Sequence, residues 1–296
     1  MNISIIIPTY NGAHKILNVI KALEQQTFQD FETIVMIDGS TDSTETVING
    51  YKHSLQSLQV ITQTNQGRAK VRNNGAKTAS GNLLIFFDDD MRPQINCVQT
   101  HLYAQQQHRR SIIVGGINEN PEIMQTDIQK YKAYLSEKWV EALTEWKKPL
   151  VKENLYLTAA NFSISKAIFD QLDGFDECLN DAEDWDLAVR AHQAQIPIYY
   201  HHNAFAWHDD FITCQSYIQR QIQYKSFHKK LLILKPDLYQ DFSARTENAN
   251  GLIKKSIFTI LKPKFWVFLV DKNHFVFLPK KLRYKLYEYI IAGHSA

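Results

Sequence analysis

The chain of 296 residues has only three cysteines, Cys97, Cys178 and Cys214, far apart and without a Cys-x-x-Cys pair. An odd, scattered set argues against a disulfide framework and a thiolate zinc site, and for a reducing compartment. Long apolar runs are also lacking. Nowhere are there 18 consecutive apolar residues, so no membrane span is expected. The nearest approach is Phe265–Val270, broken by Asp271-Lys-Asn-His274 and resumed at Phe275–Leu278. The opening MNISIIIPTY has no basic segment and its apolar run stops at Pro8, so it does not read as a secretory leader. The loops GxxxxGK[ST] and GxGxxG are absent, as are GxSxG and HExxH. P-loop, dinucleotide, serine-hydrolase and zinc-protease readings lose their support accordingly. There are no internal repeats and no low-complexity tracts.

What is present is ordinary globular material, 44% apolar and 22% charged, long enough for one large α/β domain with an appendage. The formal net charge of +2 conceals an asymmetry. Residues 1–215 hold 18 Lys+Arg against 26 Asp+Glu, whereas residues 216–296 hold 15 against 5. This divides the chain into an acidic body, 1–215, able to hold a cation, and a basic helical extension, 216–296. The tail suits an anionic surface; a helical extension with solvated lysines has the same composition.

Ile3–Ile7, Thr33–Ile37 and Leu83–Phe87 are short, continuously apolar runs rich in β-branched and aromatic residues, the pattern of buried parallel strands. Val60–Thr62 is a further strand candidate. Between them, His14–Leu23 and Arg68–Ala79 carry helical spacing, and Asp42-Ser-Thr-Glu45 resembles a helix-starting capping arrangement. Gln94–His108 and Ile112–Gly115 continue the alternation, which predicts an α/β, Rossmann-like, mostly parallel sheet flanked by helices. Residues 120–153 read as surface helices, Leu155–Ser165 and Pro197–Trp207 as strands, and Glu183–Gln193 as a helix. In such sheets ligands lie beyond the carboxyl ends of the strands, where Pro8–Gly12, Asp38–Ser40 and Asp88–Asp90 all fall.

Three adjacent carboxylates, Asp88-Asp89-Asp90, do not all ionise cheaply without a neutralising cation, and their oxygens suit Mg²⁺ or Mn²⁺. His208, after the strand-like run ending at Trp207, is a candidate third ligand. Glu183-Asp184-Trp185-Asp186 opens a helix on which Asp184, Leu187, Ala188 and Ala191 share one face. If that face packs inward, Asp184 is a candidate general base. The helix dipole lowers its pKa while neighbouring Asp181, Glu183 and Asp186 raise it, and the sequence leaves that balance open. Asn65-Gln-Gly-Arg68 starts a helix and suits a phosphate or a uracil edge.

Taken in order, Ser4-Ile-Ile-Ile-Pro-Thr-Tyr-Asn11, Asp38-Gly-Ser40, Asn65-Gln-Gly-Arg68, Asn73-Asn-Gly-Ala76, Asp88–Asp90, Asp173-Gly-Phe-Asp176, Glu183-Asp184 and His208 resemble the family 2 glycosyltransferases, which have the GT-A fold. The resemblance runs over roughly residues 1–210. It implies inverting transfer of a sugar from a nucleotide-sugar donor, a UDP-sugar, to a glycan or lipid-linked oligosaccharide. Pro8, Thr9, Tyr10 and Asp38 would hold the nucleoside, with Asn65 and Arg68 beside them. Asp88, with Asp89, would lie near the ribose. Asp88, Asp90 and His208 would hold Mn²⁺ or Mg²⁺ on the diphosphate. Asp184 would deprotonate the acceptor with Glu183 in support, and Asn161 would lie near the donor sugar. The Gln-x-x-Arg-Trp motif of processive members is missing around Gln219–Tyr224, so one or few sugars per encounter are expected.

Two other readings compete. A nucleotidyltransferase would place a Gly-rich basic loop after the first strand, but Pro8–Gly12 has no Arg or Lys. A non-catalytic sugar-nucleotide-binding protein would not need the full acidic set. For the tail, Lys254/Lys255, Lys262/Lys264 and Lys280–Lys285 flanking Phe265–Leu278 suit peripheral contact with the inner face of the cell membrane, from the cytoplasm. The same apolar stretch would equally serve a homodimer. No nucleic-acid partner is expected.

Overall fold

A computed structural model describes residues 2–141, 143, 148–239, 242 and 258–295. The chain divides into two compact units. The first comprises Met1–Asn118 and Trp139–Asp209, the second Glu119–Lys138 and Asp210–Ala296. The second unit thus takes in a segment from the middle of the chain that sequence pattern places with the body.

The first unit is built on an eight-stranded sheet of order β3-β2-β1-β4-β7-β6-β8-β5. Its strands are β1 (Ile3–Thr9), β2 (Phe31–Asp38), β3 (Ser57–Gln63), β4 (Leu83–Phe87), β5 (Met91–Pro93), β6 (Ile112–Glu119), β7 (Asn161–Ser165) and β8 (Ile198–His208). The first four form a parallel half, with β1 between β2 and β4. Antiparallel pairs join β4 to β7, β7 to β6 and β5 to β8. The sheet is therefore mixed. The strand expected at Ile112–Gly115 continues the order of elements but runs antiparallel to its partner β7, and of Leu155–Ser165 only β7 is strand.

The continuous apolar runs of β1 and β4 are explained by burial on both faces. Ile3, Ile5, Ile7, Leu83, Ile85 and Phe87 pack with helix α1 (Ile16–Glu24) through Ile16, Val19, Ile20 and Leu23, which recur at helical spacing. Helix α2 (Thr44–Gly50) follows β2. On helix α3 (Arg68–Thr78), Gly75 lies so close to the sheet that a Cβ there would come within 2.6 Å of Ile6 Cγ2. Farther along, α4 (Cys97–Gln107) precedes β6, and α5 (Asp127–Glu141) contributes its first part to the second unit.

Two sequence motifs meet in the core of the first unit. Asn73 Nδ2 donates to the Phe175 carbonyl at 2.8 Å, and the Phe175 N–H donates to Asn73 Oδ1 at 2.9 Å. Phe175 also meets Phe86 edge-on, and Phe86 stacks on Phe162 at 4.7 Å between ring centroids. This fixes the turn between α6 (Lys166–Gln171) and α7 (Glu183–Gln193).

The second unit is helical. Alongside Asp127–Lys138 of α5 it contains α8 (Cys214–Leu234), α9 (Pro236–Tyr239), α10 (Lys264–Asp271) and α11 (Lys280–Ser295). Thr213 and Ser216 form a reciprocal capping box at the start of α8. Its core gathers Ile128, Tyr131, Ile218, Val270, Tyr287 and Ile290. Arg283 grips buried Asp127 through Nε at 2.6 Å and Nη2 at 3.0 Å, which ties α5 to α11. Among the described residues no helix is long and apolar enough to cross a membrane.

Candidate active site

The carboxyl ends of β1, β2 and β4, the last residue of β8 and the N-terminus of α7 carry the sequence-derived candidates. Buried Asp38 at the end of β2 is fully engaged. Its Oδ1 accepts from Gln63 Nε2 at 2.7 Å and the Gln66 N–H at 2.9 Å, and Oδ2 accepts the Gly67 N–H at 2.9 Å. Asp38 thus shapes the loop that leads into α3. Gly39 has φ +68°, and a Cβ on it would come within 2.5 Å of the Asn65 nitrogen, so only glycine lets the two loops approach this closely. Tyr10 is half exposed, Asn65 is exposed, and Arg68 reaches Asp181 at 3.7 Å.

The acid triplet separates into three environments. Asp88 Oδ1 pairs with Arg72 Nη2 at 2.5 Å, while Arg72 Nη1 reaches Glu183 Oε1 at 2.8 Å. Asp89 is buried, accepts the Thr9 hydroxyl at 2.6 Å and pairs with Lys15 at 2.9 Å. Burial pushes its carboxyl up, against the pull of Lys15. Asp90 meets Lys15 at 3.3 Å through Oδ2 and His208 Nε2 at 3.7 Å through Oδ1. Burial raises its pKa, but His208 and Lys15 together outweigh that and hold it well below the usual carboxylate range. His208 arrives there because β5 pairs with β8 in a register that sets Met91 opposite His208, and the Asp209 N–H donates to the Asp90 carbonyl at 2.8 Å.

Asp184 opens α7 on the face that buries Leu187, Ala188 and Ala191. Its Oδ1 accepts the Trp185 N–H at 2.7 Å, and Oδ2 the Ala159 N–H at 3.4 Å. Burial and the adjacent Glu183 charge push this carboxyl up to about 7, against the Trp185 N–H and Arg72. The balance left open by the sequence therefore falls on the raised side, where a carboxylate can take a proton near neutrality.

Asn161 opens β7 opposite Phe87, the residue before the acid triplet, but its side chain turns into the core. It is fully buried, with Nδ2 donating to the Gly116 and Ala204 carbonyls at 3.0 and 2.8 Å and Oδ1 lying 2.8 Å from His101 Nε2. Its amide binds β6, β7, β8 and α4 together, so its polar atoms are consumed inside the core and do not face an open cleft.

Sequence pattern also missed two cations, Lys15 and Arg72. Arg72 could have been found, because Ala69, Arg72, Asn73 and Ala76 fall at helical spacing and an arginine among inward positions is a flag. Lys15 leaves no such local signal.

A divalent cation is implied by the resemblance. Among the described residues no group of three or more His, Cys, Asp and Glu side chains is arranged to hold a metal. Asp88 offers Oδ1 to Arg72. Asp90 Oδ1 and His208 Nε2, 3.7 Å apart, form an oxygen–nitrogen pair compatible with one cation between them. Mg²⁺ is commonly held in this way, by one or two carboxylates with water and substrate phosphates completing the shell. The residues fit a cation shared with substrate and not a cage made by protein alone.

A family model described as Glycosyl transferase family 2 matches residues 4–171. The chain belongs to this family. Poly(ribitol-phosphate) beta-glucosyltransferase of Bacillus spizizenii is 37% identical over 94 residues, covering 30% of this chain and 15% of that protein. The matched segments span less than half the length of the curated relatives. Staphylococcus aureus TarS 1–349 superposes with TM-score 0.58 at 20% identity, over all of this chain and 89% of that one. A mannosyltransferase of Pyrobaculum calidifontis, in complex with GDP-Man and Mn²⁺, superposes with TM-score 0.64 at 15% identity, over 98% of this chain and 85% of that one. At these identities the likenesses speak for the fold, which is GT-A.

Proposed function

We propose that the protein is an inverting glycosyltransferase that moves a sugar from a nucleotide-sugar donor, a UDP-sugar, to a hydroxyl of a glycan or lipid-linked acceptor in cell-surface polysaccharide biosynthesis. The observation that carries this reading is Asp184, a carboxylate with a raised pKa, joined through Glu183 and Arg72 to the acid triplet at the rim of the sheet. A base and a diphosphate end are thereby held in one framework.

In this reading Pro8, Thr9, Tyr10, Asn65 and Arg68 line the nucleoside end, Asp38 shapes their loop, and Asp88 and Asp89 lie toward the ribose. Asp90 and His208 would hold Mn²⁺ or Mg²⁺, which would supply positive charge against the charge developing on the leaving diphosphate. Asp184 takes the acceptor proton as the new bond forms, and its Trp185 and Ala159 hydrogen bonds fix the direction in which its oxygens face. One base acting on the acceptor in a direct displacement inverts the anomeric configuration. General-base assistance of this kind is worth roughly 10²–10⁴ in rate.

The helical unit suits peripheral contact with an anionic membrane surface. Phe265, Phe268 and Phe277 are exposed beside Lys262, Lys264, Lys272, Lys280 and Lys281. Lys254 and Lys255 lie outside the described residues.

The test is incubation of the full chain with Mn²⁺ and a panel of nucleotide sugars, following nucleoside diphosphate release and the anomeric configuration of the product by NMR. Release of diphosphate from one donor with inversion is expected. Pyrophosphate release from a nucleoside triphosphate and a sugar phosphate would instead make the protein a nucleotidyltransferase.

A further inference from the structure

Lys15 stands at the N-terminal edge of α1 and projects its ammonium between two carboxylates of the triplet, 2.9 Å from Asp89 Oδ1 and 3.3 Å from Asp90 Oδ2. The two acids are held differently. Asp89 is anchored by the Thr9 hydroxyl and crowded by Gly12, where a Cβ would come within 2.6 Å of Asp89 Oδ2. Asp90 has one oxygen toward Lys15 and the other toward His208. A cation taken up by Asp90 and His208 would lie beside a positive charge already present. The Lys15 side chain is 25% exposed.

We propose that Lys15 is an internal counter-cation that neutralises Asp89 and Asp90 in the metal-free site and opposes, by its charge, a divalent cation at Asp90 Oδ1 and His208, so that metal and donor diphosphate load together. This rests on the nucleotide-sugar reading of the site and adds to it the order in which the site fills. A bare divalent ion meets the repulsion of an ammonium at short range in a partly buried setting, where charges are weakly screened. A diphosphate arriving with the ion supplies negative charge for both the ion and the lysine ammonium. By linkage the diphosphate then strengthens metal binding by the same factor as the metal strengthens diphosphate binding.

The experiment is titration of the full chain with Mn²⁺, with and without UDP, by calorimetry and by the loss of free Mn²⁺ signal in EPR, for the parent, Lys15→Met and Lys15→Arg. Lys15→Met is expected to bind Mn²⁺ alone about tenfold tighter than the parent, within the usual range of coupling between charged sites. The factor by which UDP tightens Mn²⁺ should shrink in the same variant, and Lys15→Arg should behave as the parent. If thermal melting shows that Lys15→Met does not fold, the Lys15→Met/Asp89→Asn double variant removes the stranded buried charge and gives the same readout. Equal or weaker Mn²⁺ binding after loss of the lysine charge overturns the role of Lys15 and leaves the donor site standing. A parent that binds no Mn²⁺ even with UDP overturns the metal-dependent donor site itself.

Discussion

The guanidinium of Arg72 meets the carboxylate of Glu183 at 2.8 Å, with each side chain only 5% exposed. Because the same guanidinium holds Asp88, one buried arginine joins the end of β4 to the start of α7. Arg72→Met leaves a buried carboxylate without its partner, a change that typically costs about 3–5 kcal/mol. Arg72→Lys keeps the charge but not the two-pronged geometry. Urea denaturation should rank the parent above Arg72→Lys and Arg72→Lys above Arg72→Met. A flat series would mean that the two acids are solvated in solution.

Asp184→Asn should lower kcat by about 10²–10⁴ while UDP and Mn²⁺ binding, read by calorimetry, persist. For the parent, kcat should rise with pH through about 7 and level off above it, since the base acts when deprotonated. Glu183→Gln removes a charge that raises the Asp184 pKa, so the rising limb should move to lower pH.

The same carboxyl makes a stability prediction of opposite sense. Its folded pKa lies above the ordinary value of 3.8, so the folded chain keeps a proton that the unfolded chain has given up. The stability this contributes is full below about pH 4, declines as pH rises and is gone above about pH 7. Relative to the parent, Asp184→Asn should therefore raise Tm more at pH 8 than at pH 4. Scanning calorimetry at the two values checks the sign, and an equal shift at both would contradict it.

Asn161→Ala should act on stability and not on donor recognition. It leaves the Gly116 and Ala204 carbonyls and His101 short of a partner inside the core, at about 1–3 kcal/mol for an unsatisfied buried group. Donor KM measured below the melting range should stay near the parent value. A KM that rises many-fold with Tm unchanged would return Asn161 to the donor site.

Flotation with anionic vesicles at low salt should carry the protein upward, and zwitterionic vesicles should not. Each lysine near the surface contributes about 1 kcal/mol. Phe277 is 80% exposed, and Phe265→Ser/Phe268→Ser/Phe277→Ser should weaken the association. If light scattering shows a dimer that this triple variant dissociates, with no vesicle binding by the parent, the apolar stretch serves a second copy.

Much of the parallel half was legible because strands buried on both faces are written as unbroken apolar runs, and α7 was bounded correctly at Glu183 and Gln193. The three-residue β5 was invisible, since Met91-Arg92-Pro93 is too short to show a period. Strand direction in β6 and β7 leaves no mark in hydropathy. The acids of the site stood out because three adjacent carboxylates are hard to accommodate without a cation. Lys15 did not, because its partner Asp90 lies 75 positions away and a single cation has no pattern of its own, whereas Arg72 left the mark of a charge at an inward helical position. The inward direction of the Asn161 side chain was not legible, since sequence says nothing of which way a single strand residue faces.

The short β5–β8 ladder has a consequence for the newborn chain. The residues that join Thr9, Lys15 and Asp89 have all left the ribosome long before β8, which brings His208 to Asp90. Synthesis runs from the N-terminus, and folding generally follows it. Between the emergence of Asp90 and that of His208 the acid pair has its own lysine as counter-charge and lacks the imidazole, so competence to take up a divalent ion comes later than the parallel half of the sheet.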